Sequence, residues 1–416
     1  MHGRSDSSLL RLINSRKIVD VVLDVAPEGI SRADVARATG LSKPTVSTLV
    51  GELEGAGLVR MADAGSPSGG IGRPAALYEL VPDSSLVVAA DIGATKIIVG
   101  VADLLGRPVA EEMLPTPPDA SAAADAVVET AQRLLEGIAG GSSRLRAACV
   151  GVPGVYRSAD DSVEMALNLP GFEGFAIRAH LTDRLGVPTQ VDNDVNLAAV
   201  GEAGAGADRG DFAAVSIGTG IGTGLIIGGE LYRGGTGAAG ELGSLILPGL
   251  HGSAGGDPTA AGHRSALVGR ATLEDVASAP AIRRIFGGAV GNGRCSALAA
   301  GAEVADIFAA AAAGDEAAGY TLAQAASAMA YAVTHLCLIN DPALIVFGGG
   351  VGTNPVFVDA VAGELDGLLA RPPELAASEL GRRATFLGAV SLAVSSLRDS
   401  LVEQTLDGAG QRGAIR

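Results

Sequence analysis

Three times in this chain an apolar run of strand length stops on glycine, and no other feature narrows the fold as much. Leu86–Ala90 runs into Asp91-Ile92-Gly93-Ala94-Thr95-Lys96, with a second strand over Ile97–Ala102 and a turn at Leu105-Gly106-Arg107. Ala213–Ile217 runs into Gly218-Thr219-Gly220-Ile221-Gly222-Thr223-Gly224, then Leu225–Ile227 and Gly228-Gly229. Leu344–Phe347 runs into Gly348-Gly349-Gly350. Glycine tolerates positive φ and lets a ligand reach backbone N–H groups that larger residues cover. In the first junction, Thr95 and the backbone can approach phosphate while Asp91 holds a hydrated divalent cation. The spacing lacks the Gly-Lys-Ser/Thr of a P-loop and does not fit a dinucleotide fingerprint. Repetition of the junction points to a duplicated α/β fold closing around nucleotide; hydrophobic β-hairpins without a ligand satisfy the same letters.

Between these junctions, Thr189-Gln190-Val191 reads as a strand ending at Asn193-Asp194. A carboxylate at a strand end can orient a hydroxyl and accept its proton during attack on a γ-phosphate. An Asn-Asp pair is also a common turn or helix cap.

The chain before residue 80 is different in kind. Leu9, Leu10, Ile13, Ile18, Val21, Val22 and Leu23 recur at helical spacing ahead of Pro27-Glu28-Gly29. Ser31 caps a second helix that stops at Gly40; Ser42 caps a third, with Pro44 in its opening turn, that ends near Gly55-Ala56-Gly57. Two short helices across a Gly-containing turn make a helix-turn-helix. Val46, Leu49, Val50 and Leu53 face its core, leaving Lys43, Thr45, Ser47 and Thr48 for a DNA duplex. A plain three-helix bundle has the same periodicity. Short strands at 58–61 and 75–80 flank AGSPSGGIGRP, a loop suited to be a wing, where Arg73 can reach phosphate or a narrow minor groove.

Charge must be read by region. The net charge of -16 opposes a nucleic-acid partner for the chain as a whole. Residues 1–80 nevertheless hold nine Lys/Arg and nine Asp/Glu, so the deficit lies beyond them. Aromatic residues are only 3%, with no Trp, which argues against single-strand stacking platforms. Cys149, Cys295 and Cys337 imply neither a disulfide framework nor a thiolate metal site. The first residues carry no apolar leader segment, and runs such as LVVAADIGATKIIVGVA are broken by polar residues. A cytoplasmic protein without a membrane segment is expected.

SRADVARATGLSKPTVSTLVGELEGAGLVR with GGIGRPAALYEL resembles the DNA-binding region of the ROK family (repressors, open reading frames, kinases), in its NagC/XylR-like regulators. DIGATK, GVPG at 151–154, NLPGF at 168–172, VDNDVN at 191–196, SIGTGIGTGLIIGG at 216–229, GELG at 240–243 and LIVFGGGVG at 344–352 resemble that family's kinase-like body over most of 86–400. The resemblance implies a multidomain chain: an N-terminal winged helix-turn-helix over 1–82, then a two-lobed α/β actin-like ATPase (ribonuclease H-like) sugar-kinase fold. Its lobes would be 83–205 and 206–416, with the C-terminal helix returning to the first. Nucleotide falls to Asp91, Gly93, Thr95, Lys96, Gly218, Thr219, Gly220, Gly222, Gly348 and Gly349. Asp194 matches the family's catalytic base, and Asn168, Asn193, Asp194, Glu241 and Glu274 match its sugar-contacting positions.

The match breaks after GELG. Ser244 stands where the family has a zinc-holding His, and GRATLEDVAS at 269–278 carries none of its cysteines. No zinc is expected, and His251 and His263 read as isolated imidazoles. The expectation is a sugar- or sugar-phosphate-responsive repressor acting on operator DNA as a homodimer or homotetramer, needing no cofactor and without significant kinase activity. An ATP-dependent sugar kinase using Mg-ATP is the alternative.

Overall fold

The computed structural model describes residues 6–62, 76–165, 169–172, 174–206, 210–251 and 270–413. Its N-terminal region comprises α1 (Asp6–Asp24), α2 (Arg32–Thr39) and α3 (Lys43–Gly55). Local chemistry sets the boundaries. The Ser31 hydroxyl accepts from the Asp34 backbone N–H at 3.2 Å, and that of Ser42 accepts from Thr45 at 3.3 Å. Such caps contribute about 1 kcal/mol each. Gly40 ends α2 at φ 71°, where a Cβ is disfavoured. Val46, Leu49, Val50 and Leu53 are buried in one cluster with Ile18, Val19 and Val22 of α1.

β1 (Ile30–Ser31), β2 (Val59–Met61) and β3 (Leu77–Leu80) complete this region as an antiparallel sheet in the order β1-β3-β2. The two-residue β1 is too short to leave a periodic signature. The expected wing loop, with Arg73, lies outside the described residues.

The body contains two sheets of one design. The first uses β4 (Leu86–Ile92), β5 (Lys96–Asp103), β6 (Pro108–Pro115), β7 (Leu145–Val152) and β10 (Thr189–Asn193) in the order β10-β7-β4-β5-β6; β8 (Val155–Arg157) and β9 (Ser162–Glu164) make a separate hairpin. The second uses β11 (Phe212–Ile217), β12 (Ile221–Ile227), β13 (Glu230–Tyr232), β16 (Leu344–Gly348) and β17 (Glu374–Ala377) in the order β13-β12-β11-β16-β17. In each, three antiparallel strands are followed by two parallel ones, which is an internal duplication.

Helices α4 (Ala120–Glu136), α5 (Gly141–Arg144), α6 (Ile177–Leu185) and α7 (Asp194–Gly204) belong to the first half. The second adds the hairpin of β14 (Ile246–His251) and β15 (Arg270–Thr272). Its helices are α8 (Glu274–Ala277), α9 (Ala279–Gly291), α10 (Val304–Ala312), α11 (Glu316–Asn340), α12 (Gly349–Gly352), α13 (Pro355–Asp366) and α14 (Ala384–Gly413). By length and composition α11 is apolar enough to cross a membrane, yet eleven of its residues are buried, ten of them in the hydrophobic core of the second half.

The helix that closes each half packs on the other half's sheet. α7 lies on β11 and β12, and α14 lies on β4 and β7. The two cross at backbone contact: an added Cβ on Gly201 would strike the Ala384 carbonyl, and one on Gly388 would strike that of Leu197. Beyond this crossing α14 also meets α1, with Leu397, Leu401 and Val402 buried in the cluster of Ile18, Val19 and Val22.

The glycine run at 218–224 is mostly strand rather than turn. Only Gly218–Gly220 turns the chain; Ile221–Ile227 is β12, paired with β11 from Ile217↔Ile221 to Phe212↔Ile226. Gly222 and Gly224 are flat because α7 presses on them: their added Cβ atoms would meet Val195 and Ala199.

Candidate functional site

The site forms where strand ends of the two sheets face each other. β10 ends at Asn193, which caps α7: its Oδ1 accepts from Val195 N at 2.9 Å and Asn196 N at 3.1 Å, while Nδ2 donates to the Gly154 carbonyl at 2.8 Å. Most of this amide's hydrogen-bonding capacity therefore serves local structure. The fold needs Asn193 as a cap whatever else it touches.

Asp194 follows as the first residue of α7. Burial pushes its carboxyl up to about 6, opposed by N–H groups at the helix start. Asp91, the sixth residue of β4, is pushed up to about 8, first by burial and then by the charge of Asp194. Glu241 is raised by burial and by the charges of Asp194 and Glu274. Asp91 and Glu241 thus both respond to the charge of Asp194, and Glu241 to that of Glu274 as well. Glu274 also holds the second glycine turn, its Oε2 accepting from Ile221 N at 3.0 Å. Asn168 lies outside the described residues.

Beside these acids is a cleft of ≈ 310 Å³, with Asp91, Gly93, Thr95, Lys96, Gly348 and Gly349 in its wall. Of the expected nucleotide residues, Gly218, Thr219 and Gly220 form the neighbouring turn, while Gly222 faces α7. Gly349 requires its glycine, with φ 76° and no room for a Cβ beside the Ile217 carbonyl. The sequence reading missed Glu202, Ser378, Arg382 and Thr385, which complete the wall. Thr385 Oγ1 donates to the Asp194 carbonyl at 3.0 Å, tying the start of α14 to the start of α7. The lining fits Mg-ATP: Lys96 and Arg382 are cations matched to phosphate, and Asp91 is a carboxyl whose proton a divalent cation can replace.

On the N-terminal region, Lys43, Ser47 and Thr48 are exposed on α3 and Thr45 is half-buried. Thr45 shares a hydrogen bond with Ser42 at 2.8 Å, and Ser47 Oγ accepts from Arg32 Nη1 at 3.1 Å. Arg32 also lies over the Tyr78 ring, 4.7 Å from its centroid. The sequence reading did not single out Arg32.

Among the described residues, no group of three or more His, Cys, Asp or Glu is placed to hold a metal ion. Ser244 is half-buried at the end of a short turn whose N–H bonds back to the Glu241 carbonyl at 3.1 Å.

Residues 87–396 match the ROK family, and residues 21–66 match the MarR family. The chain is 33% identical over 319 residues to a "Bifunctional enzyme NanE/NanK" of Brucella suis, covering 75% of this chain and 54% of that protein. It is 29% identical over 246 residues to a "Putative xylose repressor" of Caldicellulosiruptor, covering 58% and 60%. With a "Glucokinase" of Halalkalibacterium halodurans it shares 30% identity over 275 residues, covering 64% and 80%. The chain spans about half the length of the NanE/NanK relatives. A ROK-family transcriptional regulator, described as a homologue of the E. coli MLC protein, superposes with TM-score 0.74 over 95% of this chain and 99% of its own, at 20% identity. A ROK glucokinase from Streptomyces griseus, solved with glucose and AMPPNP, gives 0.60 at 28% identity over 75% and 100%.

These kinase relatives overturn the expectation that catalysis is absent. That expectation gave the missing zinc ligands too much weight. The carboxylate and the second glycine turn are held without them, by the Asn193 cap, by Thr385 and by the Glu274 bond to Ile221.

Proposed function

The chain belongs to the ROK family, and on that footing we propose that it is a sugar-responsive, DNA-binding transcription regulator whose body has the machinery for ATP-dependent phosphorylation of a sugar hydroxyl. One observation carries this reading. A single chain holds a capped helix with an exposed polar face, docked through α14, and a buried carboxylate beside a nucleotide-sized cleft.

Asp194 accepts the proton of the attacking hydroxyl, and its elevated affinity for protons suits a base working near neutrality. Glu241 and Glu274 receive hydroxyl hydrogen bonds and orient the ring, with Asn193 and Asn168 beside them by family resemblance. Lys96, Arg382 and Thr95 hold phosphate, and Asp91 holds the cation. Mg-ATP, when bound, supplies the phosphoryl group. Sugar affects DNA binding to the extent that it prefers one relation of the body to the N-terminal region.

Residues 1–82 act as the winged helix-turn-helix, 83–205 and 206–416 as the two lobes, with the C-terminal helix α14 returning to the first. Two copies present α3 to paired half-sites, with Lys43, Thr45, Ser47, Thr48 and Arg73 at the duplex. Repression is the output the xylose-repressor relative favours.

The test has two arms on the full chain. Fluorescence anisotropy with genomic duplex fragments is expected to show affinity that falls with salt and is lost on removal of residues 1–82. An ADP-release assay with Mg-ATP and glucose, N-acetylglucosamine or xylose is expected to show sugar-dependent turnover. DNA affinity indifferent to that truncation removes the regulator; the absence of both turnover and sugar binding removes the sugar site.

A further inference from the structure

The loop from Arg233 to Glu241 carries a sugar-facing acid, and its anchorage spans both halves of the body. It begins just after β13, the edge strand of the second sheet. Gly234, Gly237 and Gly240 all hold positive φ, at 71°, 87° and 90°. Gly237 sits against the Tyr156 carbonyl of the first half, 2.6 Å from where a Cβ would stand. Gly240 is pressed against the Thr223 carbonyl of the second half, with no room for a Cβ. The loop is a wedge between the halves, and glycine is what lets it fit.

Its first residue makes an ionic link to the first half. Arg233 Nε donates to Asp192 Oδ2 at 2.6 Å, bridging to β10, the edge strand of the first sheet. The Asp192 side chain is only 8% exposed and its other oxygen is committed: Oδ1 accepts from Asn193 N at 2.8 Å and Asn196 Nδ2 at 2.9 Å. Asp192 thus grips both the residue before Asp194 and the first turn of α7. A charge-assisted bond this short, on a carboxylate this buried, is strong and geometrically exacting.

We infer that Arg233 is a positioning residue for the sugar site: its bond to Asp192 fixes the 233–241 loop to the start of α7 and so sets Glu241 relative to Asp194. This deepens the function proposed above and rests on it for the sugar, though not for the clamp. The link works at a distance from nucleotide, since neither partner lines the cleft that holds Lys96 and Arg382.

Hydrogen–deuterium exchange on the full chain tests the clamp without any ligand. In Arg233→Ala, exchange should rise at least tenfold in peptides covering 193–196 and 233–241 and stay unchanged in α11 and α3. Steady-state assays with Mg-ATP and glucose, N-acetylglucosamine or xylose test the positioning. Sugar kcat/KM should fall roughly 10²-fold, the scale of a ~1 Å misplacement, with much of the loss in sugar KM and none in ATP KM. Arg233→Lys, which keeps the charge, should recover most of both effects and serves if the alanine variant does not fold.

Unchanged exchange in both segments overturns the inference. So does a variant whose kcat falls with its folded fraction while sugar KM holds. If the parent chain neither binds nor turns over any of these sugars while exchange responds as expected, the proposed function falls and the clamp stands.

Discussion

The two halves of the body share one strand order but bring different chemistry to their shared cleft. The first half sets its acids in or beside the sheet: Asp91 on β4, Asp192 on β10 and Asp194 at the step into α7. In the second half β11 and β16 run into glycine, β17 ends at Ala377 ahead of Ser378, and the site's acids lie outside the sheet, Glu241 on a loop and Glu274 on α8. Duplication explains why two strand-end surfaces face one another. Divergence explains why the charges come from different places, the sheet and its strand ends in one half and a loop and helix in the other, even though Glu241 still feels the charge of Asp194.

The comparison breaks most visibly at Asp194. If the first half alone supplies the base, Asp194→Asn should lower sugar-dependent ADP release by roughly 10²–10⁴-fold. Glu274→Gln should cost far less in kcat and more in sugar KM. Equal losses in kcat in the coupled assay would dissolve the distinction between a catalytic half and an orienting half.

A second contrast concerns pH. Asp91 titrates near 8 in the fold against 3.8 for an ordinary aspartate, so its contribution to stability is complete below about 4 and is lost as pH rises through 8. Asp91→Asn in EDTA should therefore gain in Tm relative to the parent across that window, by several degrees at its upper end. Calorimetry at pH 5 and pH 8.5 gives the sign; a gain no larger at pH 8.5 than at pH 5 would mean the carboxyl is already ionised at pH 5. For the base, sugar turnover should climb as pH rises through about 6, where Asp194 loses its proton.

The smallest contrast is between the turns. Gly349→Ala forces a side chain into positive φ against the Ile217 carbonyl and should cost on the order of 1–3 kcal/mol by denaturant titration. Ala94→Gly, exposed in the turn between β4 and β5 of the first half, should stay within about 0.5 kcal/mol of the parent. Matching losses would show the two turns to be equally constrained.

Legibility in the sequence follows distance along the chain. Ser31, Gly40 and Ser42 mark helix ends because each cap acts within a few residues, and Val46, Leu49, Val50 and Leu53 mark a face because the helix repeats. The strand-to-glycine junctions and Asn193-Asp194 are visible for the same reason. The partnership of Asp192 with Arg233 is not, because it joins residues 41 positions apart that no local pattern relates. Gly222 and Gly224 looked like a phosphate turn because glycine written in sequence does not say whether it makes room for a ligand or for a helix. The missing zinc ligands misled in the opposite direction. An absent motif is conspicuous, whereas Thr385 and Arg233, which steady the same region, carry no signature.

The docking of α1 on α14 joins the first described helix to the last. On the ribosome, α1 to α3 emerge hundreds of residues before the surface that seats them. They can satisfy their own caps and core early, but Leu397, Leu401 and Val402 are made only after the whole of both sheets. The N-terminal region is therefore finished as a local unit and stays undocked throughout synthesis of the body. Its orientation is settled only once α14 has been made, so a chain truncated anywhere ahead of α14 keeps the N-terminal region but loses the surface that seats it.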